Sequence, residues 1–226
     1  MRIRIWDLPL RIFHWLLVAA MITAFVTAKI GGNAMVWHGR AGLTIIGLLV
    51  FRVVWGFVGS FNSRFASFVR GPAAIRSYLQ GRWQGSGHNP LGALSVLAML
   101  AALATQAATG LFANDDVAFE GYLYPLVTAA VSEQATGIHK LLEPALILLV
   151  LLHLGAIAFY THIKKESLVL PMITGWKDVP KETPSRGGGF VAFIIATLIA
   201  AGAVYVAAGQ LLPPPPVAAA VETPAW

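Results

Sequence analysis

The stretch His139-Lys140-Leu141-Leu142-Glu143-Pro144-Ala145-Leu146-Ile147-Leu148-Leu149-Val150-Leu151-Leu152-His153 decides the fold. Past Glu143 and Pro144 it is apolar up to the second histidine, as a helix surrounded by lipid requires. At 100° per residue, fourteen positions return the two rings to within about 40° of one face. The rise between them is roughly 21 Å. One membrane helix therefore offers two imidazoles on a common stripe at different depths.

Working outward, the sequence contains further apolar stretches at about residues 12–30, 39–59, 91–113 and 188–209, with the stretch above filling 138–161. Each is near the ~20 residues that cross a bilayer as helix. Of 226 residues, 57% are hydrophobic and 12% charged, about half the charge of an ordinary soluble domain. In lipid the backbone must satisfy its own hydrogen bonds, and no alternating pattern suggests a barrel. The expectation is an all-α integral membrane bundle of five spans. The first span follows Arg2 and Arg4 as a signal peptide would, but no small-x-small cleavage site ends it, so it reads as a retained helix.

Basic residues in the connections set the orientation. One side carries Arg2, Arg4 and Arg11, then Arg64, Arg70, Arg76 and Arg82, then Lys164, Lys165, Lys177, Lys181 and Arg186. The other has Lys29, Arg40 and Lys140. The N-terminus is expected in the cytoplasm of a bacterium and the C-terminus in the periplasm, across the inner membrane. The net charge of +6 reflects this topology and anionic lipid rather than nucleic acid, for which no reading motif occurs. The outer connection, residues 114–137, holds Asp115, Asp116, Glu120 and Glu133 with no basic residue, a surface suited to a basic partner or simply to water.

Cysteine is absent, so thiolate-held clusters and covalent haem attachment are excluded within this chain. Depth matching pairs His14 of the first span with His153 on the inner side. It likewise pairs His38 of the second span with His139 on the outer side. Two imidazoles per iron leave no open position for oxygen, which suits b-type haem in electron transfer. The pairing of His14 with His153 requires helix tilt or an earlier helix start with Pro9 in the first turn.

Other polar residues are weighed against this frame. Arg52, deep in the second span, must face an anion or snorkel to the interface, and a propionate of the inner haem is one such anion. Gly42, Gly110 and Gly155 make room for a flat macrocycle or for neighbouring helices. His88 and His162 fall at inner helix ends; solvation explains them, and a quinone or proton-handling role is the alternative. Gln106 and Thr109 read as helix–helix hydrogen bonders. The arginine- and aromatic-rich segment around residues 61–83 is suited to the membrane surface. The fifth span is rich in Gly and Ala for close packing, and Pro213 to Pro216 begin an extended tail.

Several short motifs in order carry a resemblance. They are Ile5-Trp6-Asp7 with Arg11 and His14-Trp15, Trp37-His38 with Gly42, Arg52 with Trp55-Gly56, and Gly87-His88-Asn89-Pro90-Leu91-Gly92. His139 and His153 follow, then Glu166-Ser167-Leu168-Val169 and Met172-Ile173-Thr174-Gly175. Over residues 5–177 the chain resembles the bacterial cytochrome b561 and nickel–iron hydrogenase cytochrome b family. The resemblance implies a four-helix core holding two haem b groups, with His14, His38, His139 and His153 as iron ligands. It implies electron exchange between the quinone pool and a hydrogenase-like enzyme or periplasmic c-type cytochrome. A fifth helix and the proline-rich tail depart from the minimal pattern.

The expected organisation is a diheme cytochrome b domain over 1–180, an additional span over 181–210 and a flexible periplasmic tail over 211–226. The chain reads as an electron-transfer subunit rather than a catalyst on its own, with lipid, quinone and a periplasmic redox protein as partners and a homodimer compatible with the sequence. The competing functions are a stand-alone superoxide:quinone oxidoreductase and a haem-free proton-coupled transporter.

Overall fold

A computed structural model describes residues 2–83, 88–117, 119–178 and 187–213. Five helices long and apolar enough to cross a membrane dominate it: α1 (Leu8–Ile30), α2 (Met35–Val58), α5 (Pro90–Phe112), α6 (Ala129–His162) and α8 (Gly189–Ala207). Short helices α3 (Phe65–Phe68) and α4 (Pro72–Leu79) connect α2 to α5, in the segment expected at the membrane surface, and α7 (Val169–Thr174) follows α6. The molecule is an all-α multi-pass membrane bundle.

Local chemistry sets the helix starts. Asp7 Oδ1 accepts from Leu10 N, and Pro9 occupies the first turn of α1. The same pattern recurs at α5, where Asn89 Oδ1 accepts from Gly92 N ahead of Pro90. Proline lacks the N–H that the first turn leaves unbonded, and its fixed φ suits a helix start. Because α1 begins at Leu8 rather than near residue 12, His14 lies almost two turns inside it. Gly31, at φ 69°, ends α1 in a conformation that costs glycine nothing.

The fourth span begins well before residue 138. Thr128 caps α6, and Ala-rich residues carry the helix for more than two turns before His139, for 34 residues in all. Pro144 lies inside it and removes one ladder hydrogen bond.

The core is built on α2. Leu10 and Phe13 of α1 and Ala196 and Ala200 of α8 enclose Phe51 and Trp55, while Ala20, Ile45, Leu49 and Leu103 form a second layer. Small residues let α8 approach closely: a Cβ on Gly47 would stand 2.7 Å from Val204. In contrast, α6 packs extensively only against α5 and buries almost none of its membrane-spanning length.

A two-stranded ribbon was not anticipated. β1 (Arg2–Arg4) pairs antiparallel with β2 (Trp176–Asp178), placing Ile3 opposite Lys177, and Ile5 N donates to Gly175 O over 2.8 Å. The alternation of Arg2, Ile3, Arg4 and Ile5 buries both isoleucines and sets both guanidiniums 5.8–5.9 Å from the Trp176 ring. This is the basic end of the bundle, and the end bearing Asp115, Asp116 and Glu120 is the acidic end. Lys181, Arg186 and the tail beyond residue 213 lie outside the described residues.

Candidate functional site

At the acidic end, His38 of α2 and His139 of α6 meet. Their ring centroids are 6.1 Å apart with planes at 79°. His38 Nδ1 lies 2.8 Å from Ala24 O of α1, and His139 Nδ1 lies 2.8 Å from Gln106 O of α5. A carbonyl can only accept, so in each neutral ring Nδ1 carries the proton and Nε2 keeps its lone pair. This is the outer support that metal-ligating imidazoles generally use. His38 and His139 would be the residues to hold a haem iron at this end, each offering an Nε2 lone pair.

Backbone access explains how the rings reach these positions. Gly110 lies against His139, and a Cβ there would come within 2.9 Å of Cε1. The missing side chain at Gly110 thus leaves room for the His139 ring. Phe119 sets its edge 5.9 Å from the His38 centroid, and Tyr122 rests on Gly39, so the acidic loop covers this pair. A Cβ on Gly42 or Gly155 would meet nothing within 4 Å; Gly42 is one turn from His38, whereas Gly155 is on the exposed side of α6.

At the basic end, His14 of α1 and His153 of α6 lie within electrostatic range of each other. His14 Nδ1 is enclosed without a hydrogen-bond partner among the described residues, and Trp15 stands edge-on 5.0 Å from the ring. Ring contact is thus seen between His38 and His139, while His14 and His153 lie within electrostatic range at the other end.

Arg52 is 2% exposed, and its Nη1 has no hydrogen-bond partner among the described residues. Phe51 and Trp55 on either side of it pack on Leu10 and Phe13, which brings it near the depth of His14. Its guanidinium lies 4.8 Å from the Phe65 centroid and 5.9 Å from that of Phe68. A buried cation of this kind calls for an anion. The nearby Asp7 is already engaged: beyond capping α1, its Oδ2 accepts from Trp55 Nε1 at 2.9 Å and from Ser63 Oγ at 3.1 Å.

His88 is wedged between Trp6 and Phe68, with centroids 4.7 and 4.6 Å away. Burial, and secondarily the charge of Arg52, push it down to about 4, so it is neutral at physiological pH. His162 is exposed. Neither joins a histidine pair.

Sequence reasoning missed Asp7 as a junction, although Asp-Leu-Pro is a helix-start signature. It also missed the two supporting carbonyls, which no side-chain pattern announces. Thr109, read as a helix–helix bonder, reaches α6 with its Oγ1 3.4 Å from His139 Nδ1, and its hydroxyl also lies within donating distance of Thr105 O and Gln106 O in its own preceding turn. For Gln106 it is the main chain that serves α6, while its side-chain Oε1 is buried without a partner among the described residues.

A family model, prokaryotic cytochrome b561, matches residues 5–175, which takes in all four paired histidines and ends before α8. The chain belongs to the prokaryotic cytochrome b561 family. No curated protein and no solved structure matched it. As a prokaryotic cytochrome b561 it is a membrane protein that binds b-type haem and serves electron transfer across the membrane. The residues present fit that group. Among the described residues no three His, Cys, Asp or Glu cluster as a bare ion would need, whereas paired imidazoles suffice for iron already held by a macrocycle. Along its membrane-spanning length α6 is little buried and packs extensively against α5 only.

Proposed function

We propose that this cytochrome b561 holds two haem b groups, one on His14 and His153 and one on His38 and His139. It relays electrons across the membrane between the quinone pool and a redox protein in the periplasm, a c-type cytochrome or a hydrogenase-like enzyme. The observation that carries this reading is the His38–His139 pair, whose rings meet 6.1 Å apart with both Nδ1 atoms committed to carbonyls. Bound haem supplies a one-electron couple, which no side chain in this cysteine-free protein provides.

The chain's own residues supply depth, tautomer and electrostatics. The α6 helix separates His139 from His153 by roughly 21 Å along its axis, so the two sites serve opposite faces. Ala24 O and Gln106 O fix the acidic-end rings. Arg52 is placed to receive an acidic group of the basic-end haem, which would answer its unpartnered Nη1. Arg2, Arg4, Arg11, Arg64 and Arg70 gather at the basic end, supporting a cytoplasmic orientation for it.

The test is a haem count on the purified chain with reduced spectra of alanine variants. His14→Ala and His153→Ala are each expected to remove one component, and His38→Ala and His139→Ala the other. Loss of the same component from all four variants, or one haem in the parent protein, would overturn the assignment.

A further inference from the structure

Lys29 and Glu143 belong to neither histidine pair, yet they meet across the acidic-end site. Lys29 is in the last turn of α1, the helix whose Ala24 carbonyl holds His38; Glu143 is one turn beyond His139 on α6. Lys29 Nζ and Glu143 Oε1 are 2.5 Å apart, and this contact joins two helices that otherwise do not pack extensively. With side chains 57% and 38% exposed, the pair contributes little to stability as a surface ion pair.

The position of its charges carries more weight. Glu143 is the one carboxylate in the apolar stretch 138–161, and it lies within electrostatic reach of the His139 ring. Lys29 is also steadied 5.3 Å from the Phe25 ring. Adding one electron to a haem adds one negative charge, with iron passing from ferric to ferrous. A fixed carboxylate nearby opposes that step and a fixed ammonium assists it.

We propose that the Lys29–Glu143 ion pair sets the reduction potential of the acidic-end haem, making these two residues positioning groups for the electron rather than a mere helix fastening. The inference rests on the two-haem reading above. It predicts opposite effects from its two halves. Glu143→Gln leaves the ammonium unopposed and raises the potential of the component that His38→Ala removes. Lys29→Met leaves the carboxylate unopposed and lowers it. Each shift is on the order of tenfold in the reduction equilibrium, about 59 mV for a one-electron couple.

The experiment is a spectroscopic redox titration of the full chain in detergent, with dithionite as reductant, for the parent, both single variants and the double variant. Opposite shifts confined to the acidic-end component, with the double variant returning close to the parent, are expected. A purely mechanical fastening would move both single variants the same way, or shed haem from both, and either result overturns the proposal. Two intact haems whose potentials ignore both substitutions overturn it alone, whereas fewer than two haems in the parent protein bring down the reading beneath it.

Discussion

Gly110→Ala offers a sharp probe of how the acidic-end pair is held. The added Cβ would stand 2.9 Å from Cε1 and 3.2 Å from Nδ1 of His139. An ordinary contact between such atoms is about 3.5 Å, so the ring must retreat by roughly 0.6 Å. That retreat stretches the 2.8 Å bond from Nδ1 to Gln106 O to about 3.4 Å, beyond the range of a good hydrogen bond. The bond itself is worth about 1 kcal/mol, and losing the outer support of a ligating histidine typically weakens metal binding about 10–100-fold. The expected result is a haem affinity about tenfold lower at the acidic-end site, with the other site unaffected. Stepwise haem addition to the apoprotein, followed by reduced spectra, measures this directly. Gly155→Ala is the control, because a Cβ there meets nothing within 4 Å. Retention of both haems at parental affinity by Gly110→Ala, or equal loss from the control, would refute the reasoning.

The remaining predictions concern the basic end. Asp7→Ala removes the α1 cap and the acceptor of Trp55 and Ser63, and is expected to cost about 3 kcal/mol of stability in detergent melting, whereas Asp7→Asn keeps most of it. His88, held down at about 4, is ordinarily near 6.5, so the unfolded chain binds its proton first as pH falls. Stability contributed by neutral His88 is complete above pH 6.5 and about 3 kcal/mol of it is lost by pH 4; His88→Phe should flatten that part of a melting-against-pH profile. Arg52→Leu is expected to weaken haem retention at the basic-end site on the order of tenfold, with partial rescue by Arg52→Lys, which keeps the charge but loses the planar fork. Equal loss from both sites would count against the role given to Arg52.

The four histidines were legible because two simple periodicities fix them. The fourteen-residue spacing of His139 and His153 sets their common face, and the alternating direction of successive spans sets which earlier histidine shares each depth. Apolar length likewise revealed five spans. The supports were not legible, since Ala24 and Gln106 act through main-chain carbonyls that every residue possesses. Asp7 and Ser63 are 56 positions apart, and only the turn after α2 brings them together. The β1–β2 ribbon stayed hidden because a three-residue strand carries too little alternation to be told from a helix approach. The early start of α6 escaped a hydropathy reading because its first turns leave the apolar zone, with Glu133 and Gln134 among them.

The helix that carries both His139 and His153 is also the least buried of the five spans, packing extensively against α5 only. Pigment bound between α6 and the earlier spans would act as mortar, joining by coordination what side-chain packing leaves apart. Because binding stabilises only the assembled form, the lifetime of this protein becomes a function of haem supply. Withholding haem is therefore expected to expose α6 to proteolysis before α1, α2 and α8, read from the order in which cuts appear.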